Sequence, residues 1–304
     1  MKSKSKNKSN SEFSELKFLD IIEKKFKYKD KDLIIGIGDD AAVLKFKNEN
    51  IIATTDMMVE NVHFNLKYFS IMDLAYKLVA VNVSDLIAMG ADPKFALISI
   101  AVPRKNCKEF LLKFSNAIRS VLKRFFILLV GGDTVSSEKL VLNLTLLGEK
   151  SKGKPLLRPN AKAGDLIFCT GYPGLSGLGL KVLKSSKEKD KYINSVKRHL
   201  RPEPRIEFVR DFVKGIKQIG GVIDISDGLV IDLYRILKAS NKGAELYESG
   251  IPIHPELRKY FKSKTKIFDL IFYGGEDFEL IFTINKKFKE KVIKIAKRVK
   301  VPIS

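Results

Sequence analysis

Residues 51–64, IIATTDMMVENVHF, constrain the fold of this chain more than any other stretch. An apolar, β-branched run gives way within three residues to Thr54, Thr55 and Asp56, and the polar character continues through Glu60, Asn61 and His63. The composition predicts a buried β-strand that emerges as a polar loop. Hard oxygen ligands then stand where the strand reaches the surface. Mg²⁺ takes such ligands, sharing its shell with waters and substrate phosphates. Taken alone, the same residues also fit a strand followed by an Asp-capped turn.

The motif recurs along the chain. Residues 33–44 read LIIGIGDDAAVL, a strand broken by Gly36 and Gly38 and then two adjacent carboxylates, Asp39 and Asp40. Two neighbouring negative charges require a cation or full solvation. Residues 70–90 have the spacing of a helix ended by Gly90, with Leu74, Leu78, Val81 and Leu86 on its apolar side. Asn82, Ser84 and Asp85 interrupt that helix, and polar groups on a buried face must find partners. A continuous apolar run at 125–130 predicts a strand that ends in GGDT, Gly131 to Thr134. Later, GVIDISDGLVIDLYR predicts a strand followed by Asp224, Ser226, Asp227 and Gly228 at the start of a helix. There Asp227 fits an N-cap. FYGGEDFELIF places Glu276 and Asp277 between apolar runs. In a chain of formal net charge +21, so many carboxylates beside glycines, hydroxyls and apolar runs point to cations that bridge polyphosphate oxygens.

The remaining pattern predicts helices over 12–27, 107–124 and 286–300 and strands over 95–102 and 140–146, the last with period-two leucines. Strand, acidic loop and helix follow one another in both halves, so the fold class is α/β, or α+β with a mixed sheet. Residues 150–159, rich in Lys, Gly and Pro, mark a boundary between an N-terminal domain, 12–149, and a C-terminal domain, 150–304; residues 1–11 form a disordered tail. The glycine-rich stretch after residue 165, GDLIFCTGYPGLSGLGL, suits a phosphate cradle or a tight turn. It contains neither GxxxxGK[ST] nor GxGxxG in strand–helix context.

Composition narrows the setting. Hydrophobic residues make up 45% of 304, enough for a sizeable core. The two cysteines, Cys107 and Cys169, are far apart and form no CxxC, which argues for a reducing cytoplasm. The basic start MKSKSKNKSN is not followed by a signal-like apolar core, and no apolar run is long enough to span a bilayer. Lysines are spread along the whole chain without an RNA-stacking motif, which argues against nucleic acid as the partner.

Taken together, the chain resembles the thiamine-monophosphate kinases, in the superfamily of aminoimidazole-ribonucleotide synthetase and selenophosphate synthetase. The resemblance runs from IGIGDDAA through TTDMMVENVHF, NVSDLIAMGADP, GGDT, LRPNAKAGD, RHLRPEPR and DISDGL to YGGEDFEL. GDDAA and DISDGL are shared across the superfamily, whereas the combination of DMMVENVHF with NVSDLIAMGADP and YGGEDFELIF is much more specific to the kinase. The resemblance implies a two-domain fold and a homodimer whose N-terminal sheets pair. It also implies ATP-dependent phosphorylation of thiamine monophosphate to thiamine diphosphate with several Mg²⁺ ions. Carried over by position, Asp40, Thr54, Thr55, Asp56, Asp85, Asp133, Asp224 and Asp227 match metal-binding residues. Gly132, Asp133, Arg158 and Ser226 match ATP contacts, and His63 and Glu276 match the acceptor site. No residue matches a general base, and none is needed when the acceptor is an ionised phosphate oxygen. The family continues past its last helix with a strand and hairpin, whereas this chain stops at VPIS, so the resemblance implies that the terminal hairpin is missing.

Two other readings stay open at this level. One is another ATP-binding member of the superfamily. A selenophosphate synthetase would carry a reactive cysteine near its N-terminus, and none precedes Cys107. The other is a non-catalytic homologue, or a basic RNA-binding protein on the same fold, whose binding would fall steeply with salt.

Overall fold

The computed structural model describes residues 21–35, 43–44, 46, 51–105, 107–149, 154–185 and 188–304. The expected acidic pair Asp39/Asp40, the tail at 1–11 and most of the helix expected over 12–27 lie outside these residues; 21–25 are helical.

Three sheets organise the described residues. β1 (Leu33–Ile35) and β2 (Val43–Leu44) pair antiparallel. The N-terminal half is built on a four-stranded mixed sheet of β3 (Ile51–Val59), β4 (Asp92–Val102), β5 (Leu128–Ser136) and β6 (Val141–Glu149), in the order β3-β6-β4-β5. Only β4 and β5 run parallel. The helices α1 (Ile71–Ala88) and α2 (Cys107–Arg124) follow β3 and β4. The C-terminal half has an antiparallel sheet in the order β7-β9-β8, from β7 (Asp165–Cys169), β8 (Ile219–Asp224) and β9 (Leu280–Asn285). Its helices are α3 (Leu175–Ser185), α4 (Ile193–Leu200), α5 (Ile206–Gly215), α6 (Leu229–Ser240), α7 (Pro255–Tyr260), α8 (Lys264–Tyr273) and α9 (Lys289–Arg298).

Two expectations change. Thr54–Asp56 lie inside β3, not in a loop beyond it, because β3 pairs with β6 without interruption from Ile51↔Glu149 to Val59↔Val141. GGDT likewise lies inside β5. A register shift at Ala96/Leu97 lets β5 continue alongside β4 past the glycines to Val102↔Ser136. Gly132 is required there, since a Cβ would stand 2.1 Å from the carbonyl oxygen of Ile98.

Strand alternation then fixes the faces of the sheet. Met58, Leu142, Leu144, Leu146, Ile98 and Ile100 are buried. Their neighbours Met57, Leu97 and Val135 are large apolar residues left exposed on the opposite face. The buried face joins one hydrophobic cluster that includes α1, α2 and the C-terminal residues Phe208, Phe212 and Phe282. A second cluster around Leu178, Ile225, Leu233 and Ile271 belongs to the C-terminal half.

Candidate active site

Helix α1 positions the site. Ser70 caps it with a capping box to Asp73, and the helix is buried over most of its length, including Lys77, Asn82 and Ser84. Each of these polar groups meets a specific partner. Asn82 Oδ1 accepts from the Asp56 amide at 3.0 Å, and its Nδ2 donates to the Leu78 carbonyl at 2.9 Å. Ser84 Oγ donates to Asp224 Oδ2 at 2.7 Å, tying α1 to the end of β8. Thr54 Oγ1 donates to Asp85 Oδ2 at 2.6 Å, tying β3 to α1.

Asp56, Asp85 and Asp224 therefore converge although they are up to 168 positions apart in the sequence (56 to 224). Burial and the neighbouring charge of Asp85 push Asp224 up to about 8. Burial and the charge of Asp85 push Asp56 up to about 6. Burial raises Asp85 as well, opposed by the Thr54 hydroxyl and the positive charge of Arg158. Three carboxylates in this state cannot all ionise cheaply at neutral pH without positive charge beside them. As they stand, no three His, Cys, Asp or Glu side chains among the described residues are grouped to hold a metal ion. The donor chemistry, three carboxylates and a hydroxyl, is nevertheless the all-oxygen set a hard divalent cation takes.

Other expected residues sit apart from this cluster. Alternation puts Thr55 on the opposite face from Thr54 and Asp56, where its hydroxyl donates to Asn143 Oδ1 at 3.1 Å and accepts from Thr145 Oγ1 at 3.0 Å. Asp133 is exposed, pairs in register with Ser99, and lies on the opposite edge strand from Asp56. Three strand spacings, about 14 Å, separate those edges. Asp227 pairs with Arg235 at the surface. The amides of Ser226, Asp227 and Gly228 all donate to Asp232 Oδ2, at 2.9, 2.9 and 3.2 Å. This buried carboxylate one turn into α6 was absent from the sequence-based set, and it shapes the DISDG loop. Gly228, at φ 131°, allows the chain to pass against the Phe272 carbonyl. Arg158 is exposed in a short 3₁₀ turn, near enough for its charge to act on Asp85.

His63 and Glu276 meet in a second place, a pocket of about 190 Å³ lined also by Asn61, Tyr68, Lys184 and His199. His63 follows β3, and its Nδ1 accepts from the Val59 amide at 3.0 Å. Glu276 sits at φ 56° after Gly275 at φ 62°, and its amide donates to the Ser226 carbonyl at 2.8 Å. Beneath it lie Lys77 Nζ, 3.2 Å from Oε1, and His199 Nδ1, 3.6 Å from Oε2 and 3.1 Å from Ser176 Oγ. Burial and the charges of Lys77 and Lys184 depress His199 well below its ordinary value, so the ring is neutral. The sequence reading passed over Lys77 and His199. A lysine inside the apolar run AYKLVAV was the signal available for the first.

One helix thus serves both places. Lys77 lies seven residues before Ser84 and eight before Asp85, on the same side of α1. At 1.5 Å per residue the two places are offset by about 10–12 Å along the helix axis.

Comparisons with known proteins identify the family. Residues 38–149 match the family model for the AIR synthase related protein N-terminal domain, and residues 162–304 match the corresponding C-terminal domain. These two matches define the chain as an AIR synthase related protein. Within that class, the thiamine-monophosphate kinase of Bacillus subtilis (strain 168) is 41% identical over 262 residues, 83% of this chain and 78% of the relative. A crystal structure of thiamine-monophosphate kinase from Stenotrophomonas maltophilia K279a superposes with a TM-score of 0.83 at 29% identity, covering 95% of this chain and 92% of that one. A structure described as AaThiL complexed with AMPPCP and TMP gives a TM-score of 0.73 at 32% identity, covering 93% and 89%. The chain belongs to the thiamine-monophosphate kinase family.

Proposed function

We propose that this chain transfers the γ-phosphoryl group of ATP to thiamine monophosphate, giving thiamine diphosphate and ADP. The observation that carries the reading is the placement of two polar sites along one helix, the Asp56–Asp85–Asp224 cluster and the His63–Glu276 pocket. Their offset of about 10–12 Å is comparable to the reach of a phosphorylated two-ring acceptor. A relative of this chain is described in complex with AMPPCP and TMP, an ATP-like and an acceptor-like ligand.

In this reading the acceptor's phosphate oxygen attacks the γ-phosphorus in line, the bond to the β–γ bridging oxygen breaks, and ADP leaves. The attacking oxygen is already ionised at neutral pH, so the chain's task is alignment and charge neutralisation, not proton removal. Asp56, Asp85 and Asp224, with Thr54, would hold Mg²⁺; Asp40, Thr55, Asp133 and Asp227 are further candidates. Mg²⁺ when bound offsets the negative charge of the transferring phosphoryl group. Gly132, Asp133, Arg158 and Ser226 are assigned to ATP. Arg158 supplies a permanent positive charge on the cluster side, and its planar fork suits phosphate oxygens. His63 and Glu276 are assigned to the acceptor.

We also read the active form as a homodimer. The open face of the N-terminal sheet, carrying Met57, Leu97 and Val135, supports pairing with the same face of a second copy. The reaction is placed in the cytoplasm, consistent with two unbonded, distant cysteines. No helix among the described residues is long and apolar enough to cross a membrane. Residues 12–149 and 150–304 are taken as the two domains.

Incubation with thiamine monophosphate, ATP and Mg²⁺, with thiamine diphosphate measured by chromatography, tests the assignment. Product is expected from the wild type and none from Asp56→Ala. A folded wild-type protein that forms no thiamine diphosphate would refute it.

A further inference from the structure

Lys77 is buried without a structural need for its charge. Its side chain is 1% exposed, in the middle of an apolar helix. Apart from the ion pair with Glu276 at 3.2 Å, Nζ has no hydrogen-bonding partner among the described residues; the Phe69 ring lies 5.5 Å away. Removing an ammonium group from water is costly, and a well-packed apolar residue of similar volume would serve the fold at least as well. The charge at this position therefore points to what it faces.

It faces Glu276, whose side chain is about one-third exposed and lines the pocket with His63. The backbone of Glu276 is already fixed, by the left-handed turn at Gly275–Glu276 and the hydrogen bond to Ser226. The remaining freedom is in the side-chain torsions. Lys77 on Oε1 and neutral His199 near Oε2 restrict it from below. The pair also crosses the molecule: Lys77 belongs to the helix that carries Ser84 and Asp85, and Glu276 to the loop after α8.

We propose that Lys77 is a positioning residue for acceptor recognition, anchoring Oε1 of Glu276 so that a fixed carboxylate meets a cationic or N–H-bearing ring of the acceptor. A carboxylate ordered before binding forfeits less side-chain entropy when the ring arrives. The inference rests on the reading of this pocket as the acceptor's site.

The test is a double-mutant cycle in steady-state kinetics on the full chain: wild type, Lys77→Met, Glu276→Gln and the double variant, with Lys77→Arg as the conservative replacement. Acceptor is varied at saturating ATP, ATP at saturating acceptor, and each variant's melting temperature is measured. Lys77→Met is expected to raise KM for the acceptor by about tenfold while KM for ATP stays within about twofold. Lys77→Arg is expected to recover part of the loss, and the double variant to be no worse than Glu276→Gln alone. Parallel rises in both KM values, or effects of the two substitutions that multiply, would overturn the proposal. Should Lys77→Met fail to fold, Lys77→Gln takes its place in the cycle; failure of both to fold would also overturn it. A wild type that forms no thiamine diphosphate removes the functional reading and this proposal with it, whereas an active wild type with parallel KM effects removes this proposal alone.

Discussion

Asp224→Asn distinguishes a carboxylate retained for a cation from one retained for the fold. Asp224 is 5% exposed, accepts from Ser84 Oγ at 2.7 Å and faces the charge of Asp85. Its folded-state pKa lies near 8, raised from 3.8 by burial first and by Asp85 second. A raised carboxylate pKa means that the folded chain binds this proton more tightly than the unfolded chain. Without metal, stability therefore falls as pH rises from about 4 and the loss is complete above about 8. At pH 7 the penalty is about 4 kcal/mol. Asparagine has the same shape, can still accept from Ser84 and carries no charge. In EDTA at pH 7 the variant should be more stable than the wild type by up to about 4 kcal/mol. At about 2.1 cal/mol/K per residue, this raises the melting temperature of a chain of this length by roughly 6 °C. Scanning calorimetry at pH 5 and pH 8 should show the advantage growing with pH. Millimolar Mg²⁺ should raise the melting temperature of the wild type and leave the variant unmoved, and turnover by the variant should be lost. An Asp224→Asn protein that melts below the wild type at pH 8 in EDTA would refute the reasoning, since it would make this carboxylate a structural asset.

Three further substitutions test the scaffold. Glu279 is fully buried, and burial would raise its pKa, but Arg198 and Arg205 outweigh that and lower it; Thr170 Oγ1 donates at 2.7 Å and Arg205 Nε at 2.6 Å. Glu279→Gln leaves two largely buried guanidinium groups without their anion and should cost about 3–5 kcal/mol, read from the urea midpoint. Gly132→Ala places a Cβ 2.1 Å from a backbone oxygen and should cost about 1–3 kcal/mol. Gly243→Ala, with nothing within 4 Å of the added atom, should stay within about 0.5 kcal/mol by the same measurement.

Much of the secondary structure was legible because local rules and tertiary packing agree. The helix over Cys107–Arg124 falls where its spacing puts it, and the helix expected over 70–90 forms as Ile71–Ala88 with Ser70 as its cap. The departures come at strand ends. A run such as TTD or GGDT reads as a loop from its polarity, but the backbone hydrogen bonds offered by β6 and β4 extend the strand through it. Once these residues are in strands, alternation separates neighbours. Thr54 and Thr55, equivalent in the sequence, face opposite sides of the sheet, and Asp133 stands on the far edge from Asp56.

What the sequence determined by itself was chemical type: oxygen-rich, carboxylate-bearing segments set between apolar runs, suited to hard cations and phosphates. Tertiary structure decided which of those carboxylates meet. Asp56, Asp85 and Asp224 come together because α1 packs between β3 and the end of β8, and Lys77 meets Glu276 because the same helix continues beneath the YGGED loop. Those contacts span 29 to 199 positions (56 to 85, 77 to 276), and local periodicity extends over only a few turns of helix or one strand, so it carries no information about them.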